Sequence, residues 1–377
     1  MRSTFLNKVV ALLVLLLPFT LKIIHSDAAS SSLLSAQKEA ESKGRTFFTS
    51  HDDIVSKARK EGKLWVSSRL GTSVSEPLIN GFKQKYPFIT EIRVQEIAGT
   101  AAFERFQLEL QSGQAKGWDI THVPIDSISS YVPYLKKYDI FGMAKSGVLK
   151  IDPRMIHPGE RNILSLTTGF RVAAYNRNLI TEDKVPAKWE DFLKPEFKGK
   201  KFLLDIRPLG VASLVPDWGL EKTLAFARRL AAQQPVWSNM GGDGRNTLIA
   251  NGEFALDPEA NYHSVKRNMS KDRTGNLNFK IVEPVPTRVV DHLDGILATA
   301  TSPNTALLWI EFLSSSEAQQ IIDKYFPLRA SLYSSGSAAE QELRGKELSV
   351  VDWNHFNKFE EYVTKIIEAY GFPRAEK

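Results

Sequence analysis

The chain has 377 residues, no cysteine and a formal net charge of +6 at pH 7, which together exclude disulfide scaffolds, thiol nucleophiles and lipid anchors attached at cysteine. Lysine and arginine are interspersed with aspartate and glutamate along the whole length, the pattern of a solvated mixed surface, so nucleic acid is not an expected partner. That balance admits an anionic ligand without requiring one.

Arg2 and Lys8 lead into an apolar run from Val9 to Phe19, interrupted by Pro18 and followed by small residues at Ser26, Ala28 and Ala29. This is the layout of a secretory signal over 1–28, cleaved after Ala28, and the run falls short of the roughly 20 apolar residues that a membrane span needs. The expected location is the periplasm. The leader carries Arg2, Lys8 and Lys22 against Asp27, net +2, so the mature chain keeps +4. Its roughly 350 residues exceed what one core usually organises, which favours two domains.

After an N-terminal helical extension over 29–59, strand and helix patterns alternate. "HDDIVSKARKEG" following Ser50 predicts a helix ending at Gly62, and "KLWVSS" a short apolar strand. "SVSEPLINGFKQKYP" places Val74, Leu78 and Phe82 at helical spacing, "ITEIRVQEI" alternates as a strand, "TAAFERFQLELQSGQAKG" predicts a helix and "WDITHV" a strand. This order implies α/β architecture with parallel strands, in which ligands meet the loops at the strands' carboxyl ends. The second half repeats it: strand "TTGFRVAAYN", short helix "VPAKWEDFLKPEFKGK", strand "KFLLDI", helix "WGLEKTLAFARRLAAQQ", strand "GEFAL" and strand "DGILATA". The tail "WNHFNKFEEYVTKIIEAYG" predicts an amphipathic helix with Phe356, Phe359, Tyr362, Val363 and Ile366 on its apolar face.

Three stretches resemble the solute-binding proteins of bacterial ABC importers, in the two-lobed class that includes ferric-iron and polyamine binders. "AAYNRNLI" with "VPAKWEDFLKPEFKGKKF" is similar to that family's crossover strand and the short Trp-containing helix of its second lobe. "SPNTALLWIEFLSSSEAQQII" is similar to its returning helix, with Pro303 opening the first turn, and "LWVSSRLGTSVSEPLINGFKQKYP" to its opening strand and helix. The resemblance implies a type II periplasmic-binding-protein fold, two α/β lobes joined by crossover hinge strands that close on a ligand. Lobe 1 is then expected at 60–170 and 296–377 and lobe 2 at 176–292, with crossovers near 169–175 and 294–300. The implied partners are a small-molecule or ion ligand and the membrane permease of an ABC importer, and a monomer is expected.

Candidate ligand contacts follow from the ends of the strands. Ser68 and Arg69 precede a helix start, where backbone N–H groups attract anions; the alternative is an exposed charge at Arg69. Asp126 ends another strand and reads equally as a helix cap. Arg207 follows Asp205 and is either a cation in the cleft or one half of a surface ion pair. "DPEANYH" is expected to leave the strand "GEFAL" toward the cleft, carrying Glu259, Tyr262 and His263.

In ferric-binding relatives two adjacent tyrosines at this place hold the iron, and here the resemblance puts Tyr262 and His263 there. Glu259, Tyr262 and His263 are therefore a candidate metal set, with the ion as transported ligand and no certain cofactor, although imidazole suits softer divalent ions than ferric iron. A small organic or phosphorylated anion and a structural loop remain open beside it. No nucleophile elbow, HExxH, phosphate-binding GK[ST] loop or GxGxxG after a strand occurs, so a transport protein rather than an enzyme is expected. A secreted enzyme on the same bilobal fold is the alternative.

Overall fold

The computed structural model describes residues 31–326 and 328–372; the expected leader, 1–28, lies outside the described residues. Two five-stranded sheets form the framework. In the first, β1 (Lys63–Ser68), β2 (Glu91–Glu96), β3 (Ile120–Val123), β4 (Ile163–Ser165) and β11 (Leu293–Ile296) lie in the order β2-β1-β3-β11-β4. β1 pairs in parallel with β2 and β3, while β11 runs antiparallel to β3 and β4. The second sheet has the order β12-β10-β5-β8, built from β5 (Gly169–Asn176), β8 (Leu256–Asn261), β10 (Val285–Arg288) and β12 (Leu348–Val351), with β9 (Leu277–Lys280) also on β5. β6 (Leu203–Asp205) and β7 (Val236–Ser238) make a small parallel pair.

Local chemistry explains the elements that matter for the cleft. The helix His51–Glu61 stops at Gly62, whose φ of 65° suits a residue without a Cβ and lets its N–H reach the Ala58 carbonyl at 3.0 Å. The helix Pro303–Ser314 begins with proline at its first turn and is buried continuously from Thr305 to Leu313. Its free N–H groups are met by the Glu61 carboxylate, which accepts from Thr305 N at 2.7 Å and from Asn304 N at 3.1 Å. From residue 31 on, the N-terminal extension is no appendage: Phe47, Ile54 and Ala58 belong to the same core as Leu64, Phe82 and Phe312.

The chain crosses between the sheets at 166–168 and again at 289–292, a few residues before the expected positions. A third connection runs beside them, from the helix Ser316–Tyr325 into the second sheet's side. Ser165 Oγ donates to the Val289 carbonyl at 2.8 Å, Leu166 N–H to the His292 carbonyl at 3.0 Å, and Thr168 N–H to the Arg329 carbonyl at 3.1 Å. Of the stretch 296–377 expected in the first lobe, the helices Pro303–Ser314 and Ser316–Tyr325 pack there, with Leu307, Phe312 and Ile322 in the core of Leu64 and Phe82, whereas much of the later chain does not. Ala339 and Leu343 pack with β5 and β10 residues, and the apolar face Phe359, Tyr362, Val363 and Ile366 packs with Leu224, Phe226 and Leu230 of the helix Leu220–Ala231. The helix Phe359–Ala369 thus returns to the second lobe, while Trp353 and Phe356, just before it, pack with Val123, Ile163 and Leu293 of the first.

Candidate ligand-binding cleft

A cavity of about 1760 Å³ lies between the two sheets, more than the roughly 300–1,000 Å³ of an enclosed small-molecule site and suited to an open cleft. One wall is made where the parallel strands β1, β2 and β3 end, at Arg69, Glu96, His122 and Asp126, with Phe103 above them. The facing wall holds Leu209, Arg288 and Phe359, and Phe356 lines the cavity from the side of Val123 and Leu293. Its floor is the set of crossing segments.

Those segments gather charge at the floor. Arg329 donates to the Asp291 carboxylate and, from Nη1, to His263 Nε2 at 3.2 Å. Burial opposes ionisation of Asp291, but Arg329, Arg288, His292 and Arg69 outweigh it and hold its carboxyl below the usual range. Arg171 on β5 donates to the Glu259 carbonyl at 3.2 Å; burial lowers its guanidinium to about 10, so it stays charged at neutral pH. Three arginines, Arg329, Arg288 and Arg69, therefore act on one half-buried acid, and Arg171 stands near Arg288. Arg288 Nε and Arg329 Nε are buried and have no hydrogen-bond partner among the described residues.

Arg69 and Asp126 line the cleft and are exposed. Ser68 lies just beneath, buried, its Oγ accepting from Leu70 N–H at 3.0 Å. Arg207 is turned away: it pairs with Asp205 at 3.2 Å, stays exposed and is not among the cavity's lining residues.

The expectation for "DPEANYH" is corrected. The strand is not "GEFAL" but β8, Leu256–Asn261, and a helix, Tyr262–Met269, follows at once. Asp257 and Glu259 therefore point inward from the strand, both essentially inaccessible. Asp257 takes the Arg245 Nε at 2.7 Å, and Arg245 also pairs with Asp205. Glu259 Oε1 accepts from Val211 N–H at 2.6 Å, and burial pushes its carboxyl up to about 8 against the pull of Arg171.

Nor do Glu259, Tyr262 and His263 converge on a metal. Tyr262 is buried, stacked on Phe170 at 4.4 Å, and its hydroxyl donates to Glu342 Oε1 at 2.7 Å. Burial and Glu342 hold the phenol well above its ordinary range. Burial, Arg329, Arg267 and Arg171 push the His263 imidazole down to about 3. The three side chains are engaged with three different elements.

Arg288, Asp291, Arg329 and Arg171 escape a reading of strand ends because three distant segments bring them together. One signal was available: "VPTRVVDHLDG" carries Arg288, Asp291, His292 and Asp294 inside an otherwise apolar run, and charges kept in a buried stretch mark a functional or paired position.

A family model described as bacterial extracellular solute-binding protein matches residues 133–358. No curated protein matches the chain. Among solved structures, the chain is similar to ferric iron-binding protein A of Mannheimia haemolytica in an open conformation, at 20% identity and TM-score 0.62, covering 82% of this chain and 99% of that one. The Bordetella ferric binding protein is similar at 14% identity and TM-score 0.62, covering 82% and 99%. The substrate binding protein of an ABC transporter from Agrobacterium tumefaciens is similar at 17% identity and TM-score 0.55, covering 82% and 95%. At these identities the structural likeness carries the two-lobed fold.

Proposed function

Because the chain belongs to the bacterial extracellular solute-binding protein family, we propose that it serves an ABC importer from the periplasm, exported by its leader, binding as a monomer and passing its solute to a membrane permease. The solute we propose is a small organic or phosphorylated anion. The observation that carries this is the pair Arg69 and Arg288, which line the cavity, with Arg288 Nε buried and without a partner among the described residues and with Arg329 and Arg171 adding charge nearby. A buried donor left unpaired costs about 1–3 kcal/mol, which an acceptor oxygen on the ligand would recover. Guanidinium groups match carboxylate and phosphate oxygens in pairs.

The lobes are taken as β1–β4 with β11 and the helices Pro303–Ser314 and Ser316–Tyr325, and β5–β10 with β12 and the helix Phe359–Ala369. A ligand touching Arg69 from one and Arg288 from the other favours the closed arrangement, since the open cleft offers one set of contacts at a time. Phe103, Phe356 and Phe359 supply apolar surface for its body, and Glu104 and Asp126 leave room for a positively charged end.

Ferric iron, named for several structural relatives, has less support here. It prefers anionic oxygen ligands, whereas Tyr262 is un-ionised and bound to Glu342 and His263 accepts from Arg329.

The test is native mass spectrometry of protein isolated from its host without refolding, followed by thermal-shift titration with phosphate, sugar phosphates, phosphonates, carboxylates and ferric citrate. A retained anionic mass, and stabilisation by an anion that Arg288→Ala abolishes, is expected. Stabilisation by ferric ion alone, unaffected by Arg288→Ala, would overturn the anion reading.

A further inference from the structure

His122, His292 and Asp294 form a second cluster beside the arginine floor. His122 and Asp294 are register partners on adjacent strands β3 and β11. His292 ends the second crossover with a φ of 51°, a left-handed conformation uncommon for a residue with a Cβ, which the crossover imposes just before β11. All three side chains are buried, at most 3% exposed.

His122 Nδ1 lies 3.7 Å from Asp294 Oδ1 and His292 Nε2 lies 3.6 Å from the same oxygen. Both separations are too long for hydrogen bonds. The three donor atoms lie within 4.8 Å of one another, and Nδ1 of His122, Nε2 of His292 and Oδ1 of Asp294 each lack a hydrogen-bond partner. Native interiors rarely leave even one such group unsatisfied. Three, aimed at one point, share a missing partner.

We propose that this triad is a binding site for a divalent first-row transition metal, of the zinc type, resident at the hinge and distinct from the transported solute. Two imidazole nitrogens and one carboxylate oxygen suit zinc and disfavour calcium and magnesium, which take all-oxygen sets. Bonds of about 2.0–2.1 Å at tetrahedral angles would put the donors about 3.3 Å apart, so each would move inward by a fraction of an ångström to somewhat over one. His122 also lines the cleft, which leaves the fourth position open to a water molecule. An ion here would tie β3 to the residue that ends the second crossover and so stiffen the floor that carries Asp291.

The experiment uses the purified protein, stripped with EDTA and returned to metal-free buffer, with zinc titrated in competition with a chromophoric chelator. One tight site per chain is expected, weakened at least tenfold by Asp294→Asn, an isosteric change whose fold is checked by its metal-free melt, and likewise by His122→Ala. Cobalt(II) added to the unsubstituted protein, which needs no variant to fold, should give the intense visible bands of a four-coordinate site. Zinc stoichiometry no higher than in the His122→Ala, Asp294→Asn double variant, or only the weak absorption of octahedral cobalt, would overturn the proposal. The probes are metal ions without organic solute, so this result and the anion result stand or fall separately.

Discussion

His263 Nε2 accepts a hydrogen bond from Arg329 Nη1 at 3.2 Å, which requires an unprotonated imidazole facing a permanent cation. Its folded value, pushed to about 3, lies below the ordinary 6.5, so the unfolded chain takes up a proton there first as pH falls. His263 therefore contributes stability that is fully present above about pH 6.5 and is lost as pH falls toward about 3. The expected outcome is that the ring protons of His263 show no titration by NMR between pH 8 and pH 5, and that His263→Gln flattens the acid side of the stability profile. A midpoint near 6.5 would mean that the pair with Arg329 does not form in solution.

Tyr262→Phe should cost stability and spare the cleft. The hydroxyl donates to a carboxylate, a charge-assisted bond worth about 1.5–3 kcal/mol when buried, and Glu342 keeps partial access to water, which places the loss near the lower end. Urea unfolding should show that loss, while stabilisation by a binding anion is the same as in the unsubstituted protein. Unchanged unfolding with weakened anion binding would put the phenol in the cleft after all.

Several elements near the cleft are legible in the sequence because their signals are local. The helix ending at Gly62, the strand "KLWVSS" and the helix opened by Pro303 all lie where capping, apolar spacing and proline placement put them. β8 is illegible for the opposite reason. "LDPEAN" is rich in residues that strands disfavour, and it becomes a strand because β5 pairs with it and Arg245 neutralises Asp257, a residue twelve positions on. Its Pro258 is tolerated because β8 lies at the sheet's edge, opposite a register shift between Val172 and Ala174. The cleft floor fails to appear for a related reason: Arg288, Asp291 and Arg329 meet through the crossing of chain segments, and no spacing within one segment encodes that meeting.

Glu259 should make the second lobe weaken with rising pH. Its folded value, pushed up by burial to about 8, exceeds the ordinary 4.5, so the folded state holds a proton that the unfolded chain has released. Stability from this group is full below about pH 4.5 and declines as pH climbs toward about 8. Glu259→Gln keeps an oxygen for Val211 N–H and removes the titration. Thermal midpoints at pH 5 and pH 8.5 should show the gap moving in favour of the variant as pH rises, and a constant gap would mean that the carboxyl ionises as it does in water. Gly210 gives an independent check of the packing, because an added Cβ would stand 2.7 Å from Glu259 Oε1; Gly210→Ala should cost about 1–3 kcal/mol.

Arg245 joins two separate elements of the second lobe through a buried pair of ion pairs. It lies on the helix Gly242–Ala250, 1% exposed, and bridges Asp205 at the end of β6 to Asp257 inside β8. Burial alone would discourage its charge, but the two carboxylates more than compensate and raise its guanidinium further. Removing the cation would leave Asp257 fully enclosed without a cation, while Asp205 keeps Arg207, and breaking one side of such a buried arrangement costs about 3–5 kcal/mol. Arg245→Ala is therefore expected to unfold at markedly lower urea concentration, with Arg245→Lys intermediate, because a single ammonium cannot serve two carboxylates in the planar geometry of a guanidinium. Replacing Arg245 and Asp257 together by apolar residues of similar volume should recover much of the loss, since the penalty comes from the orphaned Asp257 rather than from the absent attraction. A single Arg245→Ala variant as stable as the unsubstituted protein would mean that water reaches Asp205 and Asp257 and that β8 is held by its pairing with β5 alone.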